Sequence, residues 1–191
     1  MNTLIWICSG IDAFNTFIGH AMRWAILAAV LISAGNAVMR RVFSMSSNGW
    51  LEVQWYLFGA VFLLGAAYTL KRDEHVRIDF LSSRMTPRGF VRMTLFGHLL
   101  FLLPFCVVML WLSIPWAMSS LISGEASANA GGLPLWPAKF AVPVGFALLT
   151  LQALAEALRA VARLTGVLPI DDPKPEKGTG MAIARLGQGR D

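Results

Sequence analysis

Ionisable and strongly polar residues inside long apolar stretches are where this sequence could do chemistry, because holding a charge in hydrocarbon costs about 2.5 kcal/mol or more. Glu52 follows Trp50 at the head of one such stretch, with Gln54 close by. Together with Tyr56, Gly59, Leu63 and Ala66 it forms a helical stripe in steps of 4, 3, 4 and 3. A stripe holding small residues lets a second helix approach closely. The alternative is a glutamate at interface depth that simply reaches water. His20 and His98 each lie near one end of an apolar stretch, the arrangement a bis-histidine haem in a helical bundle would use. Asn36 suits an interhelical hydrogen bond, and Glu156 lies close enough to a stretch end to reach water.

Other chemistries lack their residues. There is no GxxxxGK[ST] phosphate loop, no HExxH, no GxSxG and no pair of intramembrane carboxylates, so the sequence does not read as an enzyme. Cys8 and Cys106 have no ligand spacing and form no disulfide framework. No metal or cofactor site is expected on this chain.

The elements that would position these residues are membrane helices. Hydrophobic residues make up 56% and charged residues 14% of the 191, against about 25% charged in soluble domains, and mean hydropathy is +0.60. A helix needs about 20 residues to cross the hydrocarbon core. Residues 21–39, 50–70, 96–118 and 136–158 each supply that length with uncharged middles. The fold expected is an all-α integral membrane protein with four transmembrane helices. Pro104, Pro115 and Pro143 are possible kinks within them.

Before the first span, Ile7, Ile11, Phe14 and Ile18 are spaced 4, 3 and 4, with Asp12 and Asn15 between them. Residues 1–19 therefore read as a short amphipathic helix lying in the interface, or else as an extension of the first span. The absence of a basic n-region argues for a retained N-terminus. Residues 20–166 form the four-helix domain. Thr86-Pro87 reads as a helix start and Thr165-Gly166 as a helix end. Residues 167–191, rich in Pro, Gly and charge, read as a disordered cytoplasmic tail. Residues 124–135, with Gly131-Gly132, read as an exposed loop.

The cations are unevenly placed. Arg40, Arg41 and Lys139 sit on one side of the spans, whereas Arg23, the cations of 71–92 and those of 159–190 sit on the other. The rich side is cytoplasmic by the positive-inside rule, which places both termini inside. This positional bias accounts for the net charge of +5 without nucleic acid as a partner.

Two stretches carry more specific information. The first is Trp50-Leu51-Glu52-Val53-Gln54-Trp55-Tyr56, continuing through Leu64-Gly65-Ala66-Ala67-Tyr68 to His75-Val76-Arg77-Ile78-Asp79. The second is Leu133-Pro134-Leu135-Trp136-Pro137-Ala138-Lys139-Phe140-Ala141-Val142-Pro143-Val144-Gly145-Phe146. Both resemble the small, DctQ-like membrane subunit of tripartite ATP-independent periplasmic (TRAP) transporters, and the likeness extends over about residues 20–165.

The resemblance implies a bacterial inner-membrane protein that packs against a large membrane subunit. That partner would carry the sodium and substrate sites and take up an organic acid delivered by a periplasmic binding protein. It also marks Glu52, His75, Arg77, Asp79, Trp136 and Lys139 as motif positions. Physically, His75, Arg77 and Asp79 alternate with apolar neighbours and can pair at the cytoplasmic surface. Trp136 and Lys139 suit anchoring at the outer boundary.

Two other classes are open: a haem-binding membrane anchor of a redox complex and a small multidrug exporter. The exporter would want a membrane-embedded glutamate in span one, and residues 21–39 contain no carboxylate.

The cation asymmetry predicts that reporter fusions after Arg84 and after Lys177 both read cytoplasmic, and that one within 124–135 reads periplasmic. A cytoplasmic signal from that loop would overturn the four-span topology.

Overall fold

A computed structural model describes residues 2–44, 47–72 and 86–169. His75, Arg77 and Asp79, and the expected tail from residue 170 onward, lie outside these residues.

Each helix boundary follows from local chemistry. α1 spans Asn2–Phe43 and α2 spans Asn48–Arg72, the latter closing on Lys71 and Arg72, cations placed at the negative end of the helix dipole. α3 (Pro87–Gly97) opens as the sequence suggests: Thr86 is extended, its hydroxyl accepts from the Gly89 amide at 3.2 Å, and Pro87 supplies no amide that would need a partner. A π turn over His98–Leu102 then leads into α4 (Leu103–Ser123). Its closing bond runs from the Leu103 amide to the His98 carbonyl, immediately before Pro104, which has no amide to donate. α5 covers Trp136–Leu164 and ends where Gly166 takes φ +78°, its amide reaching the Arg163 carbonyl at 3.2 Å. Pro115 and Pro143 lie inside α4 and α5 without breaking them.

Four helical segments are long and apolar enough to cross a membrane, with α3, the π turn and α4 forming one continuous rod. The described residues contain no β-strand, only an isolated bridge between Ala126 and Pro134.

The first segment takes the second of the two readings of residues 1–19, an extension of the first span. Residues 2–19 are not a separate helix: α1 runs unbroken into the first span, and its polar face, Asp12 and Asn15, turns toward α5 instead of toward the surface. Partners on α5 supply what the interface would otherwise have to. Arg23 also moves inward. Gly19 and His20 abut Tyr68 of the antiparallel α2, which places Arg23, one turn further along, at the level of Leu64.

α5 is the hub. Within its apolar window 39% of residues are buried, against 6–11% in the other three segments, and α2, α4 and the first half of α1 all pack on it. The buried positions are mainly small: Ala67, Ala117, Ala153, Ala155, Ala157 and Ala160, with Cys106 and Gly145. Large side chains point outward, among them Phe17, Trp24, Phe62, Trp111 and Ile122. This inside-out arrangement suits a lipid surround, where small residues let helices approach and bulky ones meet acyl chains. A Cβ built on Gly145 would lie 2.9 Å from the Leu63 carbonyl oxygen, so this glycine sets the α2–α5 distance.

Gly59, from the expected contact stripe, is exposed, with nothing within 4 Å of a built Cβ. Asn36 makes no hydrogen bond among the described residues. It lines an apolar groove of about 600 Å³ between the C-terminal half of α1 and the start of α2, together with Leu31, Met39 and Trp50.

Replacing Gly145 with Leu should therefore cost about 1–3 kcal/mol of stability in detergent micelles, while Gly59→Leu should stay within about 0.5 kcal/mol of the parent. Thermal unfolding of the purified variants separates the two. Equal effects would refute the assigned helix spacing.

Candidate functional site

Polar side chains collect at the two ends of α5. At the end shared with the 124–135 loop, Glu52 is only 7% exposed. Its carboxylate accepts from the Ser127 hydroxyl, from Asn129 Nδ2 at 2.8 Å and from the Leu133 amide at 2.7 Å. The Tyr56 hydroxyl donates to the Pro134 carbonyl at 3.2 Å, and Asn48 Nδ2 to the Ala130 carbonyl at 3.3 Å. Within the loop, the Ser127 amide bonds the Leu133 carbonyl and the Leu135 amide bonds the Glu125 carbonyl, both at 2.9 Å.

Lys139 closes the other flank. It pairs with Glu125, and its Nζ sits 4.8 Å from the centre of the Trp116 ring. Trp136 is partly exposed at the start of α5, edge-on to Phe140 with ring centres 6.2 Å apart. Of the residues singled out in the sequence, Glu52 and Lys139 thus hold the two sides of one loop, and Gly59 has no part in it. The Glu52 carboxylate is spent inside the chain, neither extended to water nor offered to a neighbouring helix.

At the opposite end lies a network that the sequence reading missed. Arg159 donates to Asp12 and to Glu156, each at 2.6 Å, and to the Cys8 carbonyl at 3.3 Å. Gln152, fully buried, donates to Asp12 Oδ1 and Glu156 Oε1, each at 3.0 Å, and accepts from Asn15 Nδ2 at 2.7 Å. Lys71 of α2 reaches the Asp12 carbonyl at 3.2 Å and the Thr16 hydroxyl at 2.5 Å. Two carboxylates and two cations make up the cluster, Arg159 pairing with both carboxylates and Lys71 bonding neutral oxygens of α1, so three helices are tied without net charge. A signal was present in the sequence. Asp12, Asn15 and Thr16 share one helical face, as do Gln152, Glu156 and Arg159, and the two polar stripes are complementary.

His20 and His98 are not brought together. His20 lies against Tyr68 of α2, with ring centres 5.9 Å apart, while His98 sits in the π turn that packs on α5. Among the described residues no three of His, Cys, Asp and Glu group as a metal site. Between the two ends, the polar groups within the helices are few and locally occupied. Thr150, for example, donates back to the Phe146 carbonyl at 2.6 Å. The arrangement can fasten a loop and a bundle; nothing in it lines up a nucleophile with a base.

Residues 17–163 match the family model described as Tripartite ATP-independent periplasmic transporters, DctQ component. The chain belongs to this family. It is the small membrane subunit of a TRAP transporter, a multi-pass membrane protein in a family of transport components and not of enzymes. The DctQ match takes in Glu52, Lys139, Lys71 and the α5 side of the Arg159 network, but begins after Asp12, Asn15 and Thr16. No curated protein and no solved structure matches the chain.

Glu52→Ala leaves the Leu133 amide and Asn129 without their acceptor, so hydrogen exchange at Leu133 should speed up by about tenfold or more. Glu52→Gln keeps an acceptor and should fall between. An unchanged rate in both would show that Glu52 does not hold the loop.

Lys139 holds the Glu125 carboxyl below its ordinary range. The stabilisation this pair lends the loop is therefore complete above the ordinary carboxylate value and is lost as pH falls through the lowered one. Loop exchange in the parent should rise on acidification through that range, and this dependence should vanish in Glu125→Gln.

Proposed function

We infer that this DctQ component scaffolds the large membrane subunit of its transporter, in the bacterial inner membrane with both termini cytoplasmic. On this reading the assembly performs sodium-driven uptake of an organic acid delivered by a periplasmic binding protein. The large subunit carries the sodium and substrate sites.

One observation supports this reading above the others: the chain uses its polar groups to hold itself together. The carboxylates of Glu52, Asp12 and Glu156 are all engaged within the fold, and among the described residues no convergent polar cluster lies midway along the helices. A transporter that bound its own solute would place such a cluster near the midplane, usually beside interrupted helices. Four mutually braced helices with bulky apolar exteriors instead offer width and anchorage to a larger partner. Haem anchorage is disfavoured by the separation of His20 and His98.

The test is reconstitution into vesicles with and without a sodium gradient, supplying this chain, the large subunit and the binding protein singly and together. Uptake should appear only with all three and the gradient. Flux through this chain alone would overturn the scaffold reading.

A further inference from the structure

Arg23 is the one cation that the fold carries deep into a span without giving it a partner among the described residues. It is exposed on α1, and among the described residues it makes no hydrogen bond or ion pair. Its level follows from the contacts of Gly19 and His20 with Tyr68: one turn further along, Arg23 falls about level with Leu64. Eight residues separate Leu64 from Arg72 at the end of α2, about 12 Å along the helix axis.

Lysines and arginines near helix ends reach the interface by snorkelling. Arg23 lies more than two turns beyond that position, on a stripe with His20, Leu27 and Val30 in steps of 3, 4 and 3, all of them exposed. The same chain engages the charges at its helix ends internally: Arg159 has two carboxylates and Glu52 has three donors. A guanidinium left open at this depth calls for a planar, bidentate anionic acceptor.

We propose that Arg23 is a subunit-contact residue, pairing with an Asp or Glu carboxylate presented from a membrane helix of the large subunit, with His20 one turn away beside the same carboxylate. This rests on the scaffold reading above and adds to it the helix face and the charge chemistry of the contact. Depth favours a protein carboxylate over a lipid phosphate, because phosphates stay at the boundary while a helix side chain can be presented at any level. The apolar positions Leu27 and Val30 would then pack alongside the pair and exclude water from it.

The experiment co-expresses the full chain with its large subunit and measures two things in the same membranes: recovery of the large subunit with this chain, and photo-cross-linking from a benzophenone amino acid in place of Leu27. Recovery should drop about tenfold or more in Arg23→Glu and severalfold in Arg23→Leu, and be largely kept in Arg23→Lys, because removing one member of a desolvated pair strands the other. The amount of each variant in the membrane should match the parent, which separates contact from insertion. Cross-links from position 27 should run to the large subunit.

If the parent pair co-purifies but Arg23→Glu recovers it fully, or cross-links reach only lipid or a second copy of this chain, the Arg23 assignment is overturned while the scaffold reading stands. If the parent pair does not associate at all, the scaffold reading fails and takes this assignment with it.

Discussion

A polar group carried into a bilayer has no water to fall back on, so it must be answered by another part of the protein. This chain meets that constraint mainly through α5. One end of the helix carries Gln152, Glu156 and Arg159, which answer Asp12 and Asn15 of α1, while Lys71 of α2 joins from the side. The other end carries Lys139, which with Glu52 and Tyr56 of α2 fixes the 124–135 loop. Without the first set, α1 would present Asp12 and Asn15 to lipid. Without the second, the loop would expose backbone groups that Glu52 now satisfies. The helix order, the burial of α5 and the course of α1 all follow from placing these two sets correctly.

Between the ends, adhesion depends on contact distance and not on polarity. Hydrocarbon side chains gain little by leaving lipid for one another, so close backbone approach and dispersion must supply the attraction. Gly145 against Leu63 is such a point of close approach, and Gly19 against Tyr68, with the alanines at 153–160, brings the helices together beside the polar network itself. Polar groups give orientation and register; small residues give adhesion.

What was legible in the sequence was what depends on neighbours in the chain. The presence of four spans, the Thr86-Pro87 start and the Gly166 end are set by residues within a few positions of each other, and these appear as read, although the helices run on past the apolar stretches. The DctQ likeness was legible because its motifs are contiguous stretches. What could not be read needs pairings between distant residues. Asp12 and Arg159 are 147 positions apart, so each alone looked like boundary chemistry. The stripe through Glu52 and Gly59 was correctly helical, yet spacing along one helix cannot say which part of a stripe a second helix covers. Leu63 and not Gly59 meets α5, and the glycine that matters is on the other partner. Arg23 was placed at a span edge because the apolar run starts beside it, whereas the level of α1 is decided by Tyr68.

The alanine-lined interior carries a consequence for how the protein tolerates variation. In a water-soluble core of leucine and phenylalanine, damage comes chiefly from truncation, which opens cavities. Here Ala153, Ala155, Ala157 and Gly145 have almost no side-chain volume to lose, so trimming them removes little. Adding even a methyl group at Gly145 forces two helices apart. The mutational landscape of α5 is therefore inverted: shrinking substitutions pass nearly unnoticed along its buried face, and enlarging ones are the disruptive class.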